Sequence, residues 1–187
     1  MARSRDDVLV AAESVVDRLG WDGLTMAALA AETGMKVPSL YNHVASLENL
    51  RSELQQRAMR DVGVAVVASA LGRSGRDALT ELARAFRGYV RAYPHRYEGA
   101  TRAPIDRDAF FTAASQSYEA LRAVVRSFGV PEEMWLTAML AVFSIIHGVV
   151  SLESVGYFGD AVDLDELFEL LVTSAERQLQ SLTEESQ

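Results

Sequence analysis

The sequence predicts an all-α protein of about nine helices, an N-terminal three-helix domain followed by a larger helical domain. Three observations carry that expectation. Apolar residues recur at helical spacing, as at Val8, Ala12, Val15 and Leu19. Helix-starting Ser, Thr and Asp and helix-ending Gly and Pro punctuate the chain, among them Thr25, Ser46, Gly20, Gly34, Pro94 and Gly129. No strand-like alternation, repeat or low-complexity tract interrupts the pattern.

Each element follows from local signals. Ser4 and Asp7 have capping-box spacing at the start of helix 1, and Gly20 ends it. Trp21 and Leu24 lie in the connection and plug the small N-terminal core. Thr25 caps helix 2 and Gly34 stops it. Pro38 suits the first turn of helix 3, where its missing N–H costs nothing. Ser46 caps a longer helix 4, with Leu47, Leu50, Leu54 and Ala58 on one face. Its end, VGVAVVASALG (62–72), is apolar and weakly amphipathic. A polar link at 72–76 leads into helix 5, expected over 77–93 and stopped by Pro94. The segment 94–106 is the least regular, with one short helix. Helix 7 is expected over 107–128. Pro131 opens helix 8, which reaches about residue 155. A GYFGDAV loop precedes helix 9, over 163–183, marked by Asp163 and Asp165.

Composition narrows the function classes. The chain has 187 residues, 49% hydrophobic and 24% charged, and no cysteine. Disulfides, thiolate zinc sites and cysteine nucleophiles are excluded. Three histidines, at 43, 95 and 147, have no ligand-like spacing, so no metal and no cofactor is expected. No nucleophile–base set or phosphate loop is present, which argues against an enzyme. No signal peptide is visible after Met1, and the longest apolar stretch, 138–150, reads as a buried helix too short to span a bilayer. The expectation is a cytoplasmic protein with no membrane contact. Lys36 is the sole lysine among 18 basic residues, which with abundant Ala, Val and Arg points to a GC-rich bacterial genome.

Residues 24–44, LTMAALAAETGMKVPSLYNHV, carry the functional reading. Two short helices joined by a tight turn present a few side chains to the DNA major groove. Leu40 and Val44 are four apart and face inward, against Val15, Leu24 and Leu29. Ser39, Asn42 and His43 then face outward, with Pro38 at the leading edge and Tyr41 between the faces. Ser and His suit phosphate oxygens, Asn a base edge, and Pro and Tyr thymine methyls or phosphates. The net charge of −8 is uneven: residues 1–60 hold 7 basic against 8 acidic, and 61–187 hold 11 against 18. Phosphate attraction must therefore be local, from Arg3, Arg5, Lys36 and helix N-termini.

This segment resembles the helix-turn-helix of the TetR family of bacterial regulators, over roughly residues 5–55. The motif is Thr25-x-x-x-Leu29-Ala30-x-x-x-Gly34 followed by Pro-Ser-Leu-Tyr-Asn-His-Val. The resemblance implies phosphate contacts from Thr25, Ser39, Tyr41 and His43. It implies base contacts from Val37, Pro38 and Asn42, with Tyr41 contributing. Spacing alone would equally turn Val37 toward the core. The chain departs from the family pattern at three places. Lys36 stands where Ser often caps helix 3, Ala45-Ser46-Leu47 lacks the usual basic start of helix 4, and Met26-Ala27-Ala28 lacks an arginine.

The resemblance divides the chain into a DNA-binding domain at 1–46 and a ligand-binding and dimerisation domain at 47–187. Thirteen of the fifteen aromatics lie after residue 60. Tyr89, Tyr93, Phe110, Phe111, Tyr118, Trp135, Phe143 and His147 fall on three predicted helices that could surround one small-ligand cavity, or could simply fill the core. The family commonly binds inducers there. The RAYPHRYEGATRAP segment and Trp135…His147-Gly148 resemble one subgroup of its C-terminal domains. His147 interrupts an apolar helix and is either a ligand handle or a hydrogen-bonded core residue. Arg91, His95, Arg96 and Arg102 could meet an acidic ligand or form a solvated face.

Helices 8 and 9 carry broad apolar faces: Leu140, Phe143, Ile146 and Val150, and Leu164, Leu167, Phe168, Leu171 and Leu179. More of this is apolar than one chain hides, which predicts a two-fold homodimer through a four-helix bundle and a palindromic operator. The implied function is a TetR-type DNA-binding regulator, a repressor released from double-stranded operator DNA by a small apolar or amphipathic ligand. The alternatives are a TetR-like DNA binder without an inducer, or an activator.

Overall fold

The computed structural model describes residues 4–184, so Arg3 lies outside the described residues. These fold into nine α-helices and two 3-10 turns, with no strand among them. The helices are α1 (Arg5–Leu19), α2 (Met26–Thr33), α3 (Val37–Leu40), α4 (Leu47–Ala70), α5 (Gly75–Ala92), α6 (Pro94–Ala100), α7 (Arg107–Ser127), α8 (Trp135–Ser154) and α9 (Leu164–Glu184).

The caps form as their chemistry requires. Ser4 Oγ accepts the Asp7 N–H at 3.1 Å, and the Asp7 carboxylate accepts the Ser4 N–H at 2.7 Å. Thr25 Oγ1 accepts the Ala28 N–H, and Ser46 Oγ the Asn49 N–H. Gly34 ends α2 at φ 67°, a left-handed conformation that side-chain-bearing residues rarely adopt. Asp163 Oδ1 accepts the N–H groups of Asp165 and Glu166 and so starts α9. Pro131 differs from expectation: it precedes a 3-10 turn at Glu132–Met134, and α8 begins at Trp135.

By packing, the chain divides elsewhere than at 46/47. One compact unit joins the residues up to Asp61 with 93–114; the other joins 62–92 with 115–187. In the first unit Val8, Ala12, Val15, Trp21, Leu24, Leu29, Leu40, Val44, Leu50 and Leu54 form one buried core. Gln55, 2% exposed, ties α4 to α6 and the loop behind it. Its Nε2 donates to the Gly99 and Ala103 carbonyls, and its Oε1 accepts the Ile105 N–H at 3.1 Å. Carboxylates on α1 and its flanking loop hold α6: Arg96 donates to Asp17 at 2.5 and 2.8 Å, and Arg102 to both Asp22 oxygens at 2.8 Å. The Arg102 bonds hold the Asp22 carboxyl below the ordinary aspartate range.

In the second unit α5, α8 and α9 pack on one another. Leu79, Leu82, Ala83, Phe86 and Val90 form the buried stripe of α5. Ala138, Met139, Val142, Ile146, Val149 and Val150 form that of α8. The segment Glu132–Ser154 has 23 residues, and an 18-residue stretch of it reaches a mean hydropathy of 1.9, long and apolar enough by length and composition to cross a membrane. The reading at 138–150 fell short because the helix continues past Ser151 and Glu153. A third of the 18-residue stretch is buried, on the face that packs against α5 and α9. A charge cluster locks the three helices. Arg87 donates to Glu153 at 2.7 and 2.9 Å and to the Leu164 carbonyl at 3.0 Å, and lies over the Phe168 ring. Arg91 and Asp165 complete it.

Candidate nucleic-acid interface

The α2–turn–α3 segment is built outward from the first unit's core. Leu29, Leu40 and Val44 are fully or almost fully buried, so the backbone between them has little freedom. Lys36 occupies the N-cap of α3 and makes no side-chain cap, as expected of a residue without an acceptor. The α-helix closes at Leu40, earlier than the sequence predicts. Asn42 and His43 donate to the carbonyls three residues back, Ser39 and Leu40, in a tighter turn. Tyr, Asn and His are weak helix formers, and only Val44 keeps the i−4 bond, to Leu40 at 3.1 Å.

Pro38, Tyr41 and Asn42 are exposed, and Val37, Ser39 and His43 are half-buried. Tyr41 exposes 51% of its surface, so its ring is open to a partner. Thr25 is exposed, and its hydroxyl, already accepting from Ala28, still has its hydrogen to donate. Lys36 is exposed and makes no ion pair among the described residues. Arg5 is engaged: its Nε donates to the His43 carbonyl at 3.2 Å and its Nη2 to Glu53 at 2.5 Å. It braces the turn behind Tyr41–His43 against α1 and α4. Arg18 and Arg57 are likewise paired with acids, whereas Arg51 and Arg60 donate to the Leu24 and Gln56 carbonyls. Arg18 pairs with Glu32, and Arg57 with Asp6 and Glu13, both at 2.6 Å. The acidic partners explain how a near-neutral unit carries so many arginines.

The eight aromatic-site candidates fall in both compact units. Tyr93, Phe110 and Phe111 belong to the first unit, and Tyr89, Tyr118, Trp135, Phe143 and His147 to the second. Tyr89 is buried in the core. Trp135 donates its indole N–H to the Val130 carbonyl at 2.8 Å and lies under Arg126. Phe143 stacks on His147 at 5.2 Å on an outward part of α8. His147 has Ser151 Oγ 3.3 Å from Nδ1, and burial lowers its pKa, favouring the neutral ring. The basic cluster of the sequence reading pairs with acids: Arg91 with Glu153 and Asp165, Arg96 with Asp17, Arg102 with Asp22, and His95 beside Glu98 at 3.6 Å. Among the described residues no group of His, Asp and Glu could hold a metal ion.

A cavity of about 670 Å³ does exist in the second unit, and none of these aromatics lines it. Its walls are residues 64–73 of α4 and its end, 115–124 of α7, and Ala78 of α5. Sequence reading missed it, although Val64, Val67, Ala68 and Leu71 stand at helical spacing and remain outward-facing.

A family model described as the tetracyclin repressor-like C-terminal domain matches residues 79–175. An HTH-type transcriptional regulator of Mycobacterium tuberculosis, Rv0681, is 40% identical over 167 residues, covering 88% of this chain and 76% of that relative. The chain belongs to the TetR family of transcriptional regulators. Its fold agrees with TetR-type structures. A protein with unknown function from Rhodococcus sp. RHA1 shares the same fold, superposing with a TM-score of 0.82 at 20% identity and covering 96% of this chain and 97% of the other. SCO7222, a TetR from Streptomyces coelicolor, gives 0.71 at 22% identity, covering 97% and 100%. The relatives matched by sequence are named HTH-type transcriptional regulators.

Proposed function

We propose that this chain is a cytoplasmic TetR-type repressor that binds a palindromic operator as a homodimer and is released by a small apolar or amphipathic ligand. The observation that carries the reading is the exposed Pro38–Tyr41–Asn42 surface, held by a buried Leu40 and Val44. Asn42 reads a base edge, Pro38, Val37 and Tyr41 make apolar contacts, and Thr25, Ser39 and His43 donate to phosphates. Lys36 and the N-terminus of α4 add positive potential. Arg5 acts chiefly by positioning the turn, and Arg3 is a further candidate phosphate contact. The ligand acts only through its different affinities for the DNA-competent and released states.

Selection of bound sequences from a random DNA pool tests the reading. The wild-type chain is expected to enrich a palindrome, and an Asn42→Ala, Tyr41→Ala double variant to lose it. Each lost base contact is expected to cost about 1–3 kcal/mol of discrimination. Failure of the wild type to enrich any sequence, with and without cell extract small molecules, would sink the proposal. Lys36→Gln should flatten the dependence of log affinity on log salt by about 0.9, the share of one phosphate contact. An unchanged slope would remove Lys36 from the interface.

The homodimer uses α8 and α9. Ile146, Val150, Phe168 and Leu179 of the expected faces point inward and are core. Leu136 and Leu140, each 56% exposed, with Phe143 on α8 and Leu170 on α9, form the outward apolar stripe instead. Leu140→Glu, placing a charge on that stripe, is expected to shift the chain to a monomer in sedimentation. A variant that stays dimeric would move the interface elsewhere.

A further inference from the structure

We propose that the base pairs read by α3 and the turn after it are A·T pairs, with thymine methyls against Pro38 and Tyr41 and an adenine against Asn42. The inference rests on the operator-binding reading above and adds the base chemistry of the half-site.

The reading surface lacks the group that suits guanine best. Guanine presents two acceptors, O6 and N7, which the planar fork of an arginine matches. The described arginines of α1 and α4 all spend donors inside the protein. Arg5 donates to the His43 carbonyl and to Glu53, and Arg18 pairs with Glu32. Arg57 holds Asp6 and Glu13, while Arg51 and Arg60 donate to the Leu24 and Gln56 carbonyls. On α2 the exposed residues are Ala27, Ala31 and Glu32, and Glu32 is the acid that Arg18 holds. Lys36 is exposed, but its ammonium is a point charge that suits a phosphate and offers no fork to a base.

What the surface offers is apolar area and one amide. Pro38, Tyr41 and Asn42 are exposed, and Tyr41 keeps 51% of its surface open. Buried Leu40 and Val44 fix the backbone between and beyond them. In the major groove only thymine presents a methyl, so apolar contact selects it. The Asn42 amide matches the N6 donor and N7 acceptor of adenine. A G·C pair under Pro38 and the Tyr41 ring would have its polar edge stripped of water with no hydrogen bonds in return. The half-site is thus chosen twice, by methyl burial in favour of A·T and by unpaired polar groups against G·C.

The test uses the full chain in two steps. Selection from a random DNA pool is run with the wild type and with Pro38→Ala, Tyr41→Ala and Asn42→Ala singly, each checked for folding by circular dichroism. The positions at which a variant loses its preference are those its residue reads. They are expected to be thymines for Pro38 and Tyr41, and an adenine for Asn42. Each thymine of the selected half-site is then replaced singly by deoxyuridine, which removes only the methyl. At the thymines read by Pro38 and Tyr41, the wild type is expected to bind about fourfold more weakly for each methyl removed, the worth of one buried methyl-sized group. Tyr41→Ala is expected to be indifferent to the methyl at its own position. Three results would overturn the base assignment while operator binding stands: G·C pairs at the positions these residues read, variants that keep every preference, or deoxyuridine tolerated at every thymine. The deoxyuridine step on the wild type decides the matter even where a variant fails to bind. A wild type that enriches no palindrome sinks the operator-binding reading itself, and this inference with it.

Discussion

Arg87→Ala is expected to cost about 3–5 kcal/mol of unfolding free energy, the usual penalty for breaking a buried pair by removing one partner. The Arg87 and Glu153 side chains are each 8% exposed. Arg87 makes two bonds to Glu153, one to the Leu164 carbonyl and one ion pair to Asp165 at 2.8 Å. Deleting it leaves the Leu164 carbonyl without its donor, and leaves both Glu153 and Asp165 with only the exposed Arg91. Arg87→Met should be milder, because the chain length that packs on Phe168 is kept. The effect depends on pH in a defined direction. Burial opposes ionisation of Glu153, and the bonds from Arg87 and Arg91 outweigh it, so its carboxyl lies below the ordinary range. A depressed folded-state pKa stabilises fully above the unfolded value, about 4.3, and the contribution is lost as pH falls through the lower folded value. Urea unfolding of wild type and Arg87→Ala should therefore differ most at neutral pH and converge in acid. Equal midpoints at neutral pH would show that the cluster does not hold α5, α8 and α9 together.

Trp21→Ala is expected to cost about 3–5 kcal/mol, and Gly99→Ala about 1–3 kcal/mol or more, through the same contact. Trp21 is 4% exposed, and a Cβ at Gly99 would stand 2.1 Å from its Cε3 atom. The ring cannot swing aside, because it fills the gap between the end of α1 and α6. The Gly99 carbonyl also accepts from Gln55 at 3.0 Å, so a displaced α6 strains that bond as well. The two substitutions should couple: with the ring gone, the new methyl meets a void, and the double variant costs less than the sum. Thermal unfolding of the two single variants and the double variant measures this. Additive losses would mean that α6 does not rest on Trp21.

Much of the candidate interface was legible because its signals are local. Thr25, Gly34 and Pro38 bracket the motif, and the four-residue spacing of Leu40 and Val44 turns Tyr41 and Asn42 outward. The end of α3 was not legible, since helical periodicity does not distinguish an α-turn from the tighter turn that follows Leu40. Arg5 looked like a free cation because its acceptors, Glu53 and the His43 carbonyl, are 48 and 38 residues away. Aromatic content left open whether the eight candidate residues line a cavity or fill the core, because large rings do both; the α4–α7 cavity carries no such signal, since small Ala and Val side chains leave it open.

The sequence by itself determined the all-α class, the order of helices, most of their caps and the TetR character of residues 24–44. These depend on caps, breakers and periodicity acting within a few residues of each other. Only the tertiary structure decided that α6 and the first half of α4 pack with the DNA-reading helices. It also decided which of the α8 and α9 apolar residues turn inward, and where the cavity opens. Those outcomes rest on partners such as Gln55 with Gly99, Asp17 with Arg96, and Arg87 with Glu153, separated by 44, 79 and 66 residues. Contacts across such separations leave no local pattern, because their energy exists only after the intervening chain has folded back.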